Sequence, residues 1–133
     1  MIGIVIAGHG SWPLALNESL GMLYGEVPCL EICQITDVES AEQIHEHLDQ
    51  ALKRMPDCDG YVFLLDIFGG SPCHAVVPYA PRNDILAVTG ANLAMLIELV
   101  TARDAQPLAE LRKTLIKTGR EGIREVLAEL RQE

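Results

Sequence analysis

The sequence predicts a doubly wound α/β domain: a mainly parallel four-stranded sheet in the order 2-1-3-4, with helices on both faces. Three observations carry that prediction. Apolar, strand-sized runs alternate with helical stretches four times along the chain, the pattern of parallel strands joined by right-handed crossovers. The runs are almost continuously apolar, as strands buried on both faces require. At 133 residues and 49% hydrophobic content, the chain has the material for one core, and no linker, repeat or low-complexity tract divides it. Residues 1–133 are therefore expected to form a single domain.

The elements follow in order. Ile2 to Ala7 is the first apolar run, and it delivers His9 between Gly8 and Gly10. Ser11 ahead of Trp12-Pro13 reads as an N-cap with proline in the first helical turn, and that helix runs to about Tyr24, where Gly25 ends it. Leu30 to Ile35 is the second strand. Asp37 or Ser40 then caps a helix that carries Ile44, Leu48, Leu52 and Met55 at spacings of three and four, closed by Pro56. Tyr61 to Leu65 is the third strand and ends in Asp66. A short helix spans about Pro72 to Tyr79, Asp84 to Val88 is the fourth strand, and Leu93 to Arg103 is helical. Pro107 to Leu130 is helix-rich with a break at Gly119 or Gly122.

In open sheets of this kind the functional crevice lies beyond the carboxyl ends of the strands, where the strand order reverses. That point falls between the first and third strands, which present His9 and Asp66. A carboxylate bonded to one imidazole nitrogen fixes the tautomer and leaves the other nitrogen free to act as a nucleophile. The turn Gly69-Gly70-Ser71 opens a helix with backbone N–H groups and a hydroxyl, and Gly10 lies beside the histidine. Together these four residues are the candidate binding groups for a phosphoryl anion.

A net charge of −9 disfavours nonspecific binding to nucleic acid or to anionic membrane. No apolar run is long enough to span a bilayer, and the N-terminus lacks the basic segment of a signal peptide, so a cytoplasmic protein is expected. Cys29, Cys33, Cys58 and Cys73 fit no zinc spacing and read as reduced thiols. Cys29 and Cys33 point to one face of a strand, a packing arrangement. His45 and His47, two apart on a helix, read as a solvated face rather than a metal pair. His74 reads either as a crevice residue or as a surface histidine, and Asn92 as a crevice residue or as a helix cap. The charged C-terminal segment reads as a solvated helical face.

Three motifs resemble the IIA component of the mannose family of the bacterial sugar phosphotransferase system: Ile4-Val5-Ile6-Ala7-Gly8-His9-Gly10, Asp66-Ile67-Phe68-Gly69-Gly70-Ser71-Pro72 and Thr89-Gly90-Ala91-Asn92-Leu93-Ala94-Met95-Leu96. The resemblance covers nearly the whole chain. It implies that His9 takes a phosphoryl group from the phosphocarrier HPr and passes it to a separate IIB partner. It implies that Asp66 orients His9. It also implies a homodimer, often with a final strand exchanged, so an extra C-terminal strand is weighed against the helix that Arg120 to Leu130 suggests. His74 stands where asparagine is common in the family and Ala94 where proline is common.

Other readings stay open at this point. The phosphotransferase subunit of dihydroxyacetone kinase shares the fold and the histidine, and a phosphorylation-controlled signalling module needs no transport role. A receiver-like domain phosphorylated on Asp66 lacks the acidic metal-binding pair on the first strand, and a histidine phosphatase lacks an arginine at Gly8. A phosphohistidine carrier requires no cofactor and no metal. Trp12 and Val76-Val77-Pro78-Tyr79 are the candidate dimer contacts.

Overall fold

In the computed structural model, which describes residues 1–131, four parallel strands run in the order β2-β1-β3-β4. They are β1 (Ile2–His9), β2 (Leu30–Ile35), β3 (Gly60–Leu65) and β4 (Ile85–Val88). The helices are α1 (Trp12–Tyr24), α2 (Ala41–Lys53), α3 (Gly70–Val76), α4 (Leu93–Ala102), α5 (Leu108–Glu121) and α6 (Val126–Leu130). The predicted class and strand order are therefore the observed ones. Gln132 and Glu133 lie outside the described residues.

Alternation along β1 explains why both faces are covered. Ile4 and Ile6 point to one side and join Leu20 of α1, Leu96 and Leu99 of α4, and Leu111 and Leu115 of α5. Val5 and Ala7 point to the other and meet Ile44, Leu48 and Ala51 of α2 and Ala75 of α3. Each fully buried leucine or isoleucine contributes about 1.5–3 kcal/mol relative to an exposed one, so the two half-cores clamp the sheet from either side.

Local chemistry sets the helix ends. Ser40 forms a reciprocal capping box at α2: its hydroxyl accepts from Gln43 N–H at 3.2 Å and its N–H donates to Gln43 Oε1 at 2.8 Å. Pro13 does lie in the first turn of α1, but the Ser11 side chain makes no capping bond. The short helix starts earlier than expected, at Gly70, and continues past Val76 as a single 3₁₀ turn over Val77–Tyr79.

The C-terminal region takes the helix and not the strand weighed against it, with the break at Gly122. α5 passes straight through Gly119 and ends at Gly122, and the following segment is α6, so no fifth strand is present among the described residues. Gly119 serves close helix packing rather than a break. A Cβ there would stand 2.7 Å from Met95 Cε of α4.

Candidate active site

β1 ends at His9 and β3 ends one residue before Asp66, so two adjacent strands place the pair side by side at the carboxyl edge of the sheet. Asp66 Oδ2 lies 2.8 Å from His9 Nδ1 and accepts from the His9 backbone N–H at 2.8 Å. Asp66 Oδ1 accepts from Ile67 N–H at 2.8 Å. Burial would raise the Asp66 carboxyl, but the hydrogen bonds from His9 and Ile67 outweigh it and hold the group below the usual carboxylate range. An ionised carboxylate only accepts, so Nδ1 carries the proton. Nε2 then keeps its lone pair and has no hydrogen-bond partner among the described residues. The His9 side chain is 55% exposed and that of Asp66 only 15%, the arrangement of an accessible nucleophile on a shielded support.

Glycines make the close approach possible. A Cβ on Gly8 would stand 2.6 Å from Trp12 Cε3 and 2.9 Å from the Asp66 carboxyl carbon, so any side chain there would displace the carboxylate. Gly10, Gly69 and Gly70 have φ of 59°, 92° and 75°, the left-handed region that glycine enters without steric cost. The chain can therefore turn sharply after both strands.

The turn after Asp66 has a brace. Gly69 N–H donates to Cys73 Sγ at 3.0 Å, and the Cys73 thiol in turn donates a longer contact, 3.8 Å, to Ile67 O. Gly69 N–H is thus engaged. The N–H groups of Gly70 and Ser71, in the first turn of α3, make no hydrogen bond among the described residues. Beside them Ile67 and Phe68 are 59% and 84% exposed, an apolar rim next to the imidazole. Neither the brace nor the rim was read from the sequence. The only local signal for the brace is a cysteine four residues after Gly69 at a helix start.

The remaining candidates separate. Asn92 is a cap: its Oδ1 accepts from Met95 N–H at 3.0 Å, and its Nδ2 donates to Gly119 O at 3.0 Å, tying α4 to α5. His74 is exposed on α3 and lines a cavity with Glu42, His45 and Pro78. His45 corrects the expectation of a solvated face. Its Nδ1 donates to Ala75 O at 2.8 Å and its ring lies 4.7 Å from that of Tyr79, so it joins α2 to α3. His47 faces solvent and pairs with Glu39 at 2.8 Å. Of the candidate dimer contacts, Tyr79 is buried and Trp12 half-buried against the core, whereas Val77 and Pro78 are exposed. Among the described residues no cluster of three or more His, Cys, Asp or Glu could hold a metal ion.

Comparison with known proteins matches residues 3–116 to the family model EIIA-man, described as the PTS system fructose IIA component. The chain belongs to this mannose-type IIA family. It is 35% identical over 116 residues to the fructose-specific EIIA component of Bacillus subtilis, covering 86% of this chain and 80% of that protein. It is 34% identical over 131 residues to the mannose-specific EIIAB component of Escherichia coli K12, covering 96% of this chain but only 40% of that longer protein. Among solved structures it is similar to phosphotransferase system component EIIA from Streptococcus agalactiae, with a TM-score of 0.85, 25% identity, and coverage of 96% and 99% of the two chains. The mannose/sorbose specific IIA subunit from Enterococcus faecalis shares the fold with a TM-score of 0.82 at 24% identity over 93% of both chains. Membership in the IIA family gives the chain a role in phosphoryl transfer within the sugar phosphotransferase system. No described helix is long and apolar enough to cross a membrane.

Proposed function

We propose that this IIA protein is a phosphohistidine carrier that works in the cytoplasm, accepting a phosphoryl group on His9 from an HPr-type phosphocarrier and passing it to a separate IIB-type protein. The observation that carries the proposal is the 2.8 Å contact between His9 Nδ1 and Asp66 Oδ2, which leaves Nε2 as the nucleophile. Nε2 attacks phosphorus in line. The N–P bond to the donor imidazole breaks as the new N–P bond forms, and Asp66 balances the positive charge that develops on the His9 ring. Gly70 and Ser71 N–H groups, with the Ser71 hydroxyl, are placed to meet phosphoryl oxygens, and Gly10 lets the backbone turn away from them. Because Gly69 N–H is held by Cys73 Sγ, its part is to shape the turn. Transfer then needs positioning and dipoles rather than a metal or cofactor.

A protein donor fits the surroundings of His9. Exposed Ile67 and Phe68 supply the apolar contact that a transient protein partner buries, and a site opening directly to solvent admits another protein's histidine. The same reading makes the protein a homodimer. The exposed apolar residues that favour it are Ile123, Val126, Leu127 and Leu130 of the C-terminal segment, of which Ile123 shares a cavity with Leu86 and Val88 of the edge strand β4.

The test is phosphoryl uptake from a preloaded phosphocarrier, read as acid-labile label on the protein. The wild type should take up label with or without chelator, and His9→Ala should take up none while keeping its circular dichroism spectrum. Acid-labile label on His9→Ala, or strict dependence on Mg²⁺, overturns the assignment.

A further inference from the structure

The opposite pole of the sheet brings two thiols together. Cys29 immediately precedes β2 and Cys58 lies just ahead of β3, the two strands that flank β1. Ile4 N–H donates to Cys29 O at 2.9 Å, and Ile4 pairs with Leu30, so Cys29 lies beside Gly3 on one side of β1. Tyr61 pairs with Gly3 on the other side. Gly3 supplies the space that its neighbours use: a Cβ there would stand 2.9 Å from Tyr61 Cδ1 and 3.1 Å from Cys58 Sγ. Cys58 therefore lies across the bare backbone of β1, on the face where Cys29 also packs. Both cysteines are half-buried, pack against the α2-side core and line one cavity with Met1, Arg54 and Met55.

We propose that Cys29 and Cys58 are a redox-active dithiol, converted to an intramolecular disulfide by a low-molecular-weight disulfide of the glutathione type. Cys33 is buried in the core, and the Cys73 sulfur is engaged with Gly69 and Ile67 at the other pole, so neither competes for the bond. Burial pushes the Cys58 thiol up to about 11, so Cys58 keeps its proton at neutral pH and serves as the resolving thiol. The Cys29 thiolate displaces one thiolate from the small disulfide and forms a mixed disulfide. Cys58 then releases its proton to solvent, attacks the Cys29 sulfur and expels the second thiolate. Two protein thiols are oxidised and one small disulfide is reduced to two thiols. The new bond ties the start of β2 to the loop before β3 and closes the β2–α2 unit against β1. His9 lies six residues along the strand from Gly3, about 20 Å at ~3.3 Å per residue, so the bond acts on stability and leaves the site open.

The experiment incubates the full chain with oxidised glutathione at about pH 8.5, where ordinary thiols ionise. The protein is then quenched in acid, alkylated, digested and mapped by mass spectrometry. The expected result is a Cys29–Cys58 cross-link, an intact mass lower by two hydrogens, and an unfolding midpoint that rises and returns on adding dithiothreitol. Cys58→Ser should stop at Cys29 carrying one glutathione. Stable glutathione adducts on wild-type Cys29 or Cys58 without the cross-link, a cross-link to Cys33 or Cys73, or two thiols that stay fully alkylatable each overturn the proposal. Should Cys58→Ser fail to fold, the wild-type peptide map decides alone.

Discussion

One oxygen of Asp66 accepts two hydrogen bonds from a single residue: Oδ2 lies 2.8 Å from both the backbone nitrogen and the ring Nδ1 of His9. Main chain and imidazole are thereby held to the same carboxylate, and the ring cannot rotate without breaking a bond that also fixes the strand end. With Ile67 N–H on Oδ1, all the donors around Asp66 require an acceptor.

Asp66→Asn cannot satisfy those donors. Whichever way the amide is turned, its NH₂ faces an N–H that formerly met oxygen, and the charge that supports the developing imidazolium is gone. Phosphoryl uptake by His9 should slow by about 10²–10⁴-fold with the fold retained, the range for losing a proton-transfer or charge partner. Rapid-quench labelling checks it, and an unchanged rate would make Asp66 purely structural.

The same carboxylate sets an acid dependence. Its pKa in the folded protein lies below the ordinary aspartate value of 3.8, so its contribution to stability is complete above that value and is lost as pH falls through the folded pKa. Thermal unfolding of wild type and Asp66→Asn should differ most above about pH 4 and converge in stronger acid. A gap that widens on acidification contradicts the sign.

Cys73→Ala should slow uptake about fivefold, the effect of roughly 1 kcal/mol for a lost hydrogen bond, because Gly69 N–H loses its acceptor and the turn ahead of α3 loosens. Cys73→Ser should recover part of the rate. Equal rates for all three proteins would remove the brace from the mechanism.

Gly8→Ala should cost about 1–3 kcal/mol of stability and reduce uptake as well, since the added methyl meets both Trp12 and the Asp66 carboxyl. Gly119→Ala clashes only with the flexible end of Met95 and should leave uptake at the wild-type rate. Chemical denaturation with parallel labelling separates the two outcomes.

Light scattering at micromolar concentration should give a mass near twice 14.5 kDa. Replacing Ile123 and Leu127, 79% and 53% exposed, with aspartate should return the monomer mass. A wild type that scatters as a monomer ends the dimer reading.

The features the sequence determined by itself are those written in short-range pattern. Apolar runs of strand length, a capping residue at Asp37 or Ser40 and paired turn glycines fix where strands and helices begin and end. The alternation of those elements dictates a parallel sheet, and the reversal of strand order points to the ends of β1 and β3, so His9 and Asp66 could be paired from the sequence. What only the tertiary structure decided depends on through-space meetings that no local spacing encodes. His45 reaches Ala75 thirty residues away, and buried Arg103 donates to Ile2 O at 3.2 Å and Pro28 O at 3.0 Å. Asn92 caps α4 through its local bond to Met95 N–H, and only the fold brings Gly119 O of α5 to its amide, so that the cap also ties two helices together. The C-terminal segment, helical by its own sequence and a strand only by the resemblance, forms α6. Local propensity leaves such choices within about a kilocalorie per mole, and packing against the rest of the chain supplies the difference.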